Sequence, residues 1–433
     1  MFPAWMDFMI KTVSELGRSY IRRPDHKHTA KSVNLLCQSL LTRRGEASGV
    51  ALAKDIVDAY SEMDNDCKIQ FLEMIASDFG PDNDSVAKAA QAYLNNPCYD
   101  SIKGLSKALK SSRVDLIEML NFAPGGIEVI IQMRELVLKE LKQSKKLLPL
   151  EVDLLPLLSA WFNRGFLEFR QITWNSPATV LEQVVNHEAV HEIKSWKDLQ
   201  RRLGKDRNCF TFFHPALHQQ PLIFVQVAYT KGIPRKIGPI LAQENGELKT
   251  KADSAIFYSI SNAQPGLKGI SFGNFLIKQV VDHISKEMPE IKIFSTLSPI
   301  PRFVNWLQND YLKRSHTLFT EDEWKLLLKP DWYLDEQIRS QLKDKLILSC
   351  AHYLTSEKKD NQPYDPVARF HLRNGAKIEN INWEGDLSEN GLHQSAGIMV
   401  NYKYTPSQIV TNHEAYINQG VIRYSSKIKK ILE

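Results

Sequence analysis

Over the first 165 residues, apolar positions recur every three or four residues. Leu52, Ile56 and Tyr60, then Phe71 and Ile75, then Ile130, Met133, Val137 and Leu141 each mark one face of an amphipathic helix. Breakers separate these runs at Gly80-Pro81, Asn95-Asn96-Pro97 and Pro124-Gly125-Gly126, so the region reads as several short antiparallel helices in a bundle. From Phe166 the pattern changes. Residues 166–174 (FLEFRQITW) alternate like a strand, Ser176-Pro177 can start a helix with Pro at its first position, and residues 177–203 keep helical periodicity through Val180, Val184 and Trp196. Residues 209–215 and 221–229 read as two strands joined by a polar turn.

Residues 255–261 form an apolar, aromatic and β-branched run, which reads as a buried strand. A glycine-bearing loop from Gly266 to Gly273 follows, then Leu276, Val280, Ile284 and Met288 at helical spacing, then a second strand from Ile291. Beyond it lies a polar, Pro-containing region, and Ile398, Val400, Tyr402 and Tyr404 alternate in the last clear strand. Strands with interspersed helices imply an α+β or α/β second domain, residues 166–433, behind an all-α bundle, residues 1–165. No ionisable cluster in the bundle suggests chemistry, and its expected work is packing and oligomer contacts.

The strand–loop–helix unit suggests an anion site, because a glycine loop opening a helix lets backbone N–H groups converge in front of the helix dipole. The spacing is neither G-x-G-x-x-G nor G-x-x-x-x-G-K-[ST], so the dinucleotide and Walker readings fail. Glycines between strand and helix also serve simply as tight turns.

Composition narrows the class only slightly. The 433-residue chain is 43% hydrophobic and 24% charged, as expected of an ordinary globular protein with two or three domains. The formal charge of +5 is a mild excess that gives no reason to expect a nucleic-acid partner. Five scattered cysteines without a C-x-x-C pair indicate neither a disulfide framework nor a thiolate zinc site, and a reducing compartment is expected. No apolar run approaches a membrane span, and the first residues carry Asp7 and Glu15 where a mitochondrial leader avoids acids. The C-terminal residues are not a peroxisomal address. The expected location is the cytoplasm.

Several long segments are similar to the signature segments of malonyl-CoA decarboxylases. They are AIFYSISNAQPGLKGISFGNFLIKQVV, FSTLSPIPRFVNWL, RFHLRNGAKIENINW and QSAGIMVNYKY, joined by FTFFHPALHQQPLIFVQVAYT and RGFLEFRQITWNSPATVLEQVVNHEAVHEI. The match runs in register over roughly residues 150 to 405. The resemblance implies the mixed sheet of the Gcn5-related acyltransferase fold, hence an α+β protein whose helical region carries a homotetramer. It implies conversion of malonyl-CoA to acetyl-CoA and carbon dioxide without metal or cofactor, because the thioester is itself the electron sink. The loop residues Lys268, Gly269, Ile270, Ser271, Phe272, Gly273 and Asn274 would contact the coenzyme. Ser271 departs from relatives that carry an acid there.

Such chemistry needs hydrogen bonds to the thioester oxygen as an enolate develops, and then a proton delivered to carbon. Ser298, in Leu297-Ser298-Pro299, lies at the end of the strand from Ile291, where ligands collect in open sheets. A strand-terminating serine before proline fits that position equally well. The resemblance makes it the catalytic proton acceptor. His371, one of twelve histidines, lies in Phe370-His371-Leu372-Arg373-Asn374-Gly375, which the resemblance makes the proton donor. An unperturbed histidine titrates near neutrality, as a donor needs. His214, Asn374 and Tyr404 also lie in matched motifs, without assigned roles.

Three rival readings follow. His187-Glu188-Ala-Val-His191 is a literal H-E-x-x-H on an expected helix, which would put two imidazoles on one face for a zinc hydrolase; no third ligand is marked. An acyl-CoA-dependent N-acyltransferase of the same fold is the nearest alternative, and a non-catalytic acyl-CoA-binding scaffold is the third.

Overall fold

The structure, a computed structural model, describes residues 30–42, 45–217, 219–242, 252–270, 273–311, 318–329 and 331–433. These form two compact units. Of the described residues, the first takes those up to Glu168 together with those of Phe213–Gln220 and Gln264–Ser271; the second takes those of Phe169–Phe212, Pro221–Ala263 and Phe272–Glu433.

The first unit holds helices α1 (Ala30–Thr42), α2 (Glu46–Glu62), α3 (Asn65–Asp78), α4 (Asn83–Asn95), α5 (Tyr99–Leu109), α6 (Ser112–Asn121), α7 (Gly126–Glu140) and α8 (Leu148–Trp161), and the breakers read from the sequence fall between α3 and α4, between α4 and α5, and between α6 and α7. Short polar residues start several of them. Asp64 accepts from Cys67 N at 2.8 Å, and Asp82 accepts from Ser85 N at 3.0 Å, each occupying one otherwise unpaired N–H of a first turn. Of the recurring apolar residues, Leu52, Ile56, Tyr60, Phe71, Ile75, Ile130, Met133 and Val137 are buried, while Leu141, just past the end of α7, is half-buried. Helices α4 and α5 are different: they pack on each other and bury no residue.

Two later segments belong with these helices. Gly266 explains one of them, because its backbone lies directly against α7, where a Cβ would come within 2.1 Å of the Ile131 carbonyl oxygen. Only glycine permits that approach.

The second unit is built on a seven-stranded sheet of β1 (Glu168–Ile172), β2 (Arg207–Phe213), β3 (Pro221–Thr230), β4 (Ser254–Asn262), β5 (Ile293–Thr296), β8 (Lys377–Asn382) and β9 (Met399–Tyr404), ordered β1-β2-β3-β4-β5-β9-β8. Strands β6 (Lys358–Lys359) and β7 (Gln362–Pro363) make a separate ribbon. Pairing is antiparallel for β3/β4, β5/β9 and β8/β9 and parallel for β4/β5, so the mixed sheet and the α+β architecture expected from the sequence are present. A short helix, α11 (Gly238–Ala242), follows β3, and the parallel pair is joined by α12 (Gly273–Glu287), whose Leu276, Val280 and Ile284 are buried.

The sequence reading fails in two stretches. Residues 177–203 are two helices, α9 (Ala178–His187) and α10 (Trp196–Arg202), with Pro177 as the residue before the first helix rather than its first. The region read only as polar contains α13 (Phe303–Trp306), α14 (Glu321–Leu327), α15 (Glu336–Thr355), α16 (Pro366–Arg373) and α17 (Glu389–Ser395). The 20-residue α15 buries Leu342, Leu346, Cys350, Tyr353 and Leu354 together with Ser349, and its many polar residues hide the apolar stripe. No helix among the described residues is long and apolar enough to cross a membrane.

Candidate active site

The site lies where the chain leaves β4 and stays paired with β9. β4 and β5 run together as far as Phe257 and Thr296, and Leu297 N still donates to Phe257 O at 3.1 Å. One residue later Ser298 exchanges both backbone hydrogen bonds with Val400 of β9, at 2.9 Å each. Alternate residues of an extended chain share a face, so Thr296 and Ser298 project together; their hydroxyl oxygens are 2.9 Å apart. On β9 the same alternation groups Val400, Tyr402 and Tyr404.

Helix α16 brings the imidazole. Asp365 caps it, accepting from Val367 N at 2.9 Å and Ala368 N at 2.8 Å, and Pro366 opens the first turn. Two turns on, His371 Nε2 lies 3.1 Å from Ser298 Oγ, and its Nδ1 lies 2.7 Å from the Tyr404 hydroxyl. Ser298, His371 and Tyr404 are 6%, 3% and 1% exposed. Residues 73 positions apart therefore share one hydrogen bond in a dry interior.

The partners fix the proton arrangement. Thr296 Oγ1 receives Tyr402 N at 3.0 Å and the Ser298 hydroxyl. With its own proton so directed, Ser298 Oγ accepts from Nε2–H, and Nδ1 accepts from the Tyr404 phenol. The result is a continuous path of donors, from Tyr404 through His371 to Ser298. Burial drives the His371 pKa down to about 3 and raises that of the Tyr404 phenol, so both are neutral. This corrects the expectation of a histidine that titrates near neutrality: without an anion beside it, the imidazole stays uncharged. Burial also pushes Asp365 up to about 6, against the lowering effect of its two backbone N–H partners.

The other expected residues are distributed differently. Lys268, Gly269 and Ile270 are described and lie in the first unit, Ser271 and Phe272 lie outside the described residues, and Gly273 and Asn274 form the first turn of α12. His214 belongs to the first unit, where its ring packs on Phe162 at 4.5 Å. Asn374 ends α16, donating to Phe370 O at 2.7 Å. Its backbone N also donates to His371 O at 3.1 Å, but of His214, Asn374 and Tyr404 only Tyr404 hydrogen-bonds the imidazole of His371.

The H-E-x-x-H motif is not on one helix. α9 ends at His187, and Glu188 is extended, so the two imidazoles do not share a helical face. Glu188 accepts instead from Val190 N at 2.9 Å, His191 N at 3.0 Å, and the Ser259 hydroxyl at 2.7 Å. Among the described residues no group of three His, Cys, Asp or Glu side chains could hold a metal ion.

Sequence reasoning missed Thr296, Tyr402 and Asp365. The two-residue spacings to Ser298 and Tyr404, and the Asp-Pro pair before a helix, were available signals.

Residues 165–433 match the family model described as the malonyl-CoA decarboxylase C-terminal domain, and residues 79–162 match the one described as its N-terminal domain. A mitochondrial malonyl-CoA decarboxylase of Anser anser anser is 35% identical over 398 residues, covering 83% of this chain and 79% of that protein. Crystal structures of malonyl-CoA decarboxylases from Rhodopseudomonas palustris and Agrobacterium vitis superpose with TM-scores of 0.89 and 0.87 at 42% and 40% identity. Each covers 93% of this chain, over 99% and 100% of the respective structures. With both of its halves matched in order and the full length of those structures covered, the chain belongs to the malonyl-CoA decarboxylase family.

Proposed function

We propose that Ser298 and His371 carry out the decarboxylation of malonyl-CoA to acetyl-CoA and carbon dioxide that the family performs. The observation behind this reading is the buried Ser298–His371 hydrogen bond, backed by Tyr404.

The proton follows from the charges. A neutral imidazole in a dry site is a poor acid, but a substrate carboxylate beside it favours the imidazolium, so the substrate anion and a solvent proton enter together. Loss of carbon dioxide leaves the electron pair of the broken C–C bond in the thioester enolate. The α-carbon takes the Ser298 hydroxyl proton, while Ser298 Oγ accepts the Nε2 proton of His371. The enolate charge is quenched, His371 returns to neutrality, and acetyl-CoA leaves. The coenzyme would be gripped by residues 268–274, with the Gly269 backbone open for close approach and Lys268 exposed to pair with phosphate.

We assign residues 1–165 to oligomer contacts in a homotetramer. The exposed Leu94, Tyr99, Ile102 and Leu109 of α4 and α5 support this, and light scattering on the purified protein tests it. We also place the protein in the cytoplasm. The five cysteines are unpaired, which suits a reducing compartment; the goose relative is named mitochondrial, and free thiols suit the matrix equally well.

To test the function, purified protein is incubated with malonyl-CoA and acetyl-CoA is followed. Ser298→Ala and His371→Ala each lower kcat by about 10²- to 10⁴-fold, the range for a lost acid–base group. Wild-type rates in both variants would remove the mechanism, and an inactive wild-type protein would remove the function.

A further inference from the structure

Arg134, on α7, is among the largest fully buried side chains of the chain, 1% exposed, and the decarboxylation chemistry gives it no task. Its guanidinium makes four hydrogen bonds. Nε and Nη2 engage the two carboxylate oxygens of Glu151 at 2.9 and 2.8 Å, as a bidentate pair. Glu151 lies on α8, and the remaining donors leave the helices altogether: Nη1 reaches Gly266 O at 2.6 Å, and Nη2 reaches Lys268 O at 2.9 Å. All of these groups belong to the first unit.

The consequence lies in one peptide plane. In a trans peptide the carbonyl and the following N–H point in opposite directions. With Lys268 O turned onto the guanidinium, the Gly269 N–H points away from it, on an exposed residue. The neighbouring amides are already used: Leu267 N donates to Gln264 O, Lys268 N to Pro265 O and Ile270 N to Leu267 O. Gly269 N–H alone among these four has no partner among the described residues. Its φ of +89° is a left-handed conformation that a side chain would oppose, so the orientation needs both the glycine and the carbonyl anchor.

We propose that Arg134 is a positioning residue for coenzyme recognition. By holding the Gly266 and Lys268 carbonyls it presents the Gly269 N–H, beside the Lys268 ammonium, to a diphosphate oxygen of the substrate. This rests on the reading that residues 268–274 contact the coenzyme. It adds that the contact is organised from the opposite side of the loop by a buried cation that never touches ligand.

The test compares two substrates, malonyl-CoA and S-malonyl-pantetheine, which lacks the diphosphate. Three N–H donors on the single nitrogen of a lysine cannot span the four acceptor atoms that the planar guanidinium holds, so Arg134→Lys raises KM for malonyl-CoA at least about tenfold and that for the truncated thioester about threefold or less. Glu151→Gln, which removes the charge that orients the guanidinium but keeps its shape, shifts the same ratio in the same direction and serves if Arg134→Lys does not fold. Equal losses on both substrates, or an unchanged malonyl-CoA KM, overturn the proposal, since a merely structural arginine would not discriminate between them. A wild-type enzyme with equal KM for both substrates overturns the loop reading itself, and the proposal with it.

Discussion

The imidazole of His371 lies nearly flat against the ring of Tyr402, with centroids 4.7 Å apart and planes 24° from parallel. Tyr402 and Tyr404 are alternate residues of one strand, so a single extended segment supplies both the surface beneath the imidazole and the hydroxyl at its Nδ1. Ring plane, tautomer and the direction of Nε2 are therefore set by β9, whereas the position of the side chain is set by α16.

Tyr404→Phe separates these contributions, because it keeps the ring in place and removes only the hydroxyl. Nδ1 is then buried without a donor, at a cost of about 1–3 kcal/mol, and the tautomer that directs Nε2–H to Ser298 loses its support. The expected result is a fall in kcat of about tenfold to a hundredfold with KM for malonyl-CoA within a factor of about three. Steady-state kinetics and urea unfolding measure both effects; unchanged kcat would show that the phenol does not govern the tautomer.

Much of this site was legible in advance, and the reason is local. Ser298 and His371 sit in contiguous motifs whose strand end and helix could be read from short stretches, and the apolar stripes of α7 and α12 stand out against polar neighbours. What escaped was long-range. That Thr296 would orient Ser298 depends on Tyr402 N, 106 positions away, occupying the same hydroxyl. Arg134 reads as an ordinary helix residue, and nothing near it announces carbonyl partners 132 and 134 positions downstream. The near-neutral titration expected of His371 failed for a related reason: burial is a property of the assembled site.

Two buried groups make stability depend on pH in opposite senses. His371 titrates at about 3 in the fold against an ordinary 6.5, so the unfolded chain binds the extra proton, and stability present above pH 6.5 is lost as pH falls toward 3. Asp365 titrates at about 6 against an ordinary 3.8, so the fold binds the extra proton, and its contribution is full below pH 3.8 and lost as pH rises through 6. The histidine is displaced further, and acidification from pH 7 to 4 therefore destabilises. Urea unfolding at the two pH values should show a smaller acid loss in His371→Gln and a larger one in Asp365→Asn. The reverse order would mean that burial does not control these groups.

Glu188 behaves as a fastener between the end of α9 and β4. Its carboxylate gathers Val190 N, His191 N, the Ser259 hydroxyl and the Gln226 amide, so Glu188→Ala strands several polar groups at once and is expected to cost about 2–4 kcal/mol. Glu188→Gln, which keeps an acceptor, costs less. Dialysis against a chelator leaves the decarboxylation rate within about twofold, because the imidazoles of His187 and His191 are not arranged on one helical face. Stoichiometric zinc lost together with activity would reverse this assignment.

The approach of Gly266 to α7 gives the most severe prediction. An alanine Cβ would lie 2.1 Å from Ile131 O and 2.7 Å from Ile131 Cγ2, and the nearer obstacle is helix backbone, which cannot swing aside like a side-chain tip. Either α7 or the loop has to move, and movement of the loop pulls the Gly266 and Lys268 carbonyls off the Arg134 guanidinium. Gly266→Ala is therefore expected to lower stability by about 3 kcal/mol or more, the scale of overpacking combined with lost charged hydrogen bonds. In whatever folded fraction remains, KM for malonyl-CoA should rise while the pH dependence of stability attributed to His371 stays as in the wild type, since the strain acts on the loop and not on the imidazole. Thermal unfolding and kinetics on the same preparation check both halves, and wild-type stability in this variant would show that the contact with Ile131 is not as close as the backbone places it.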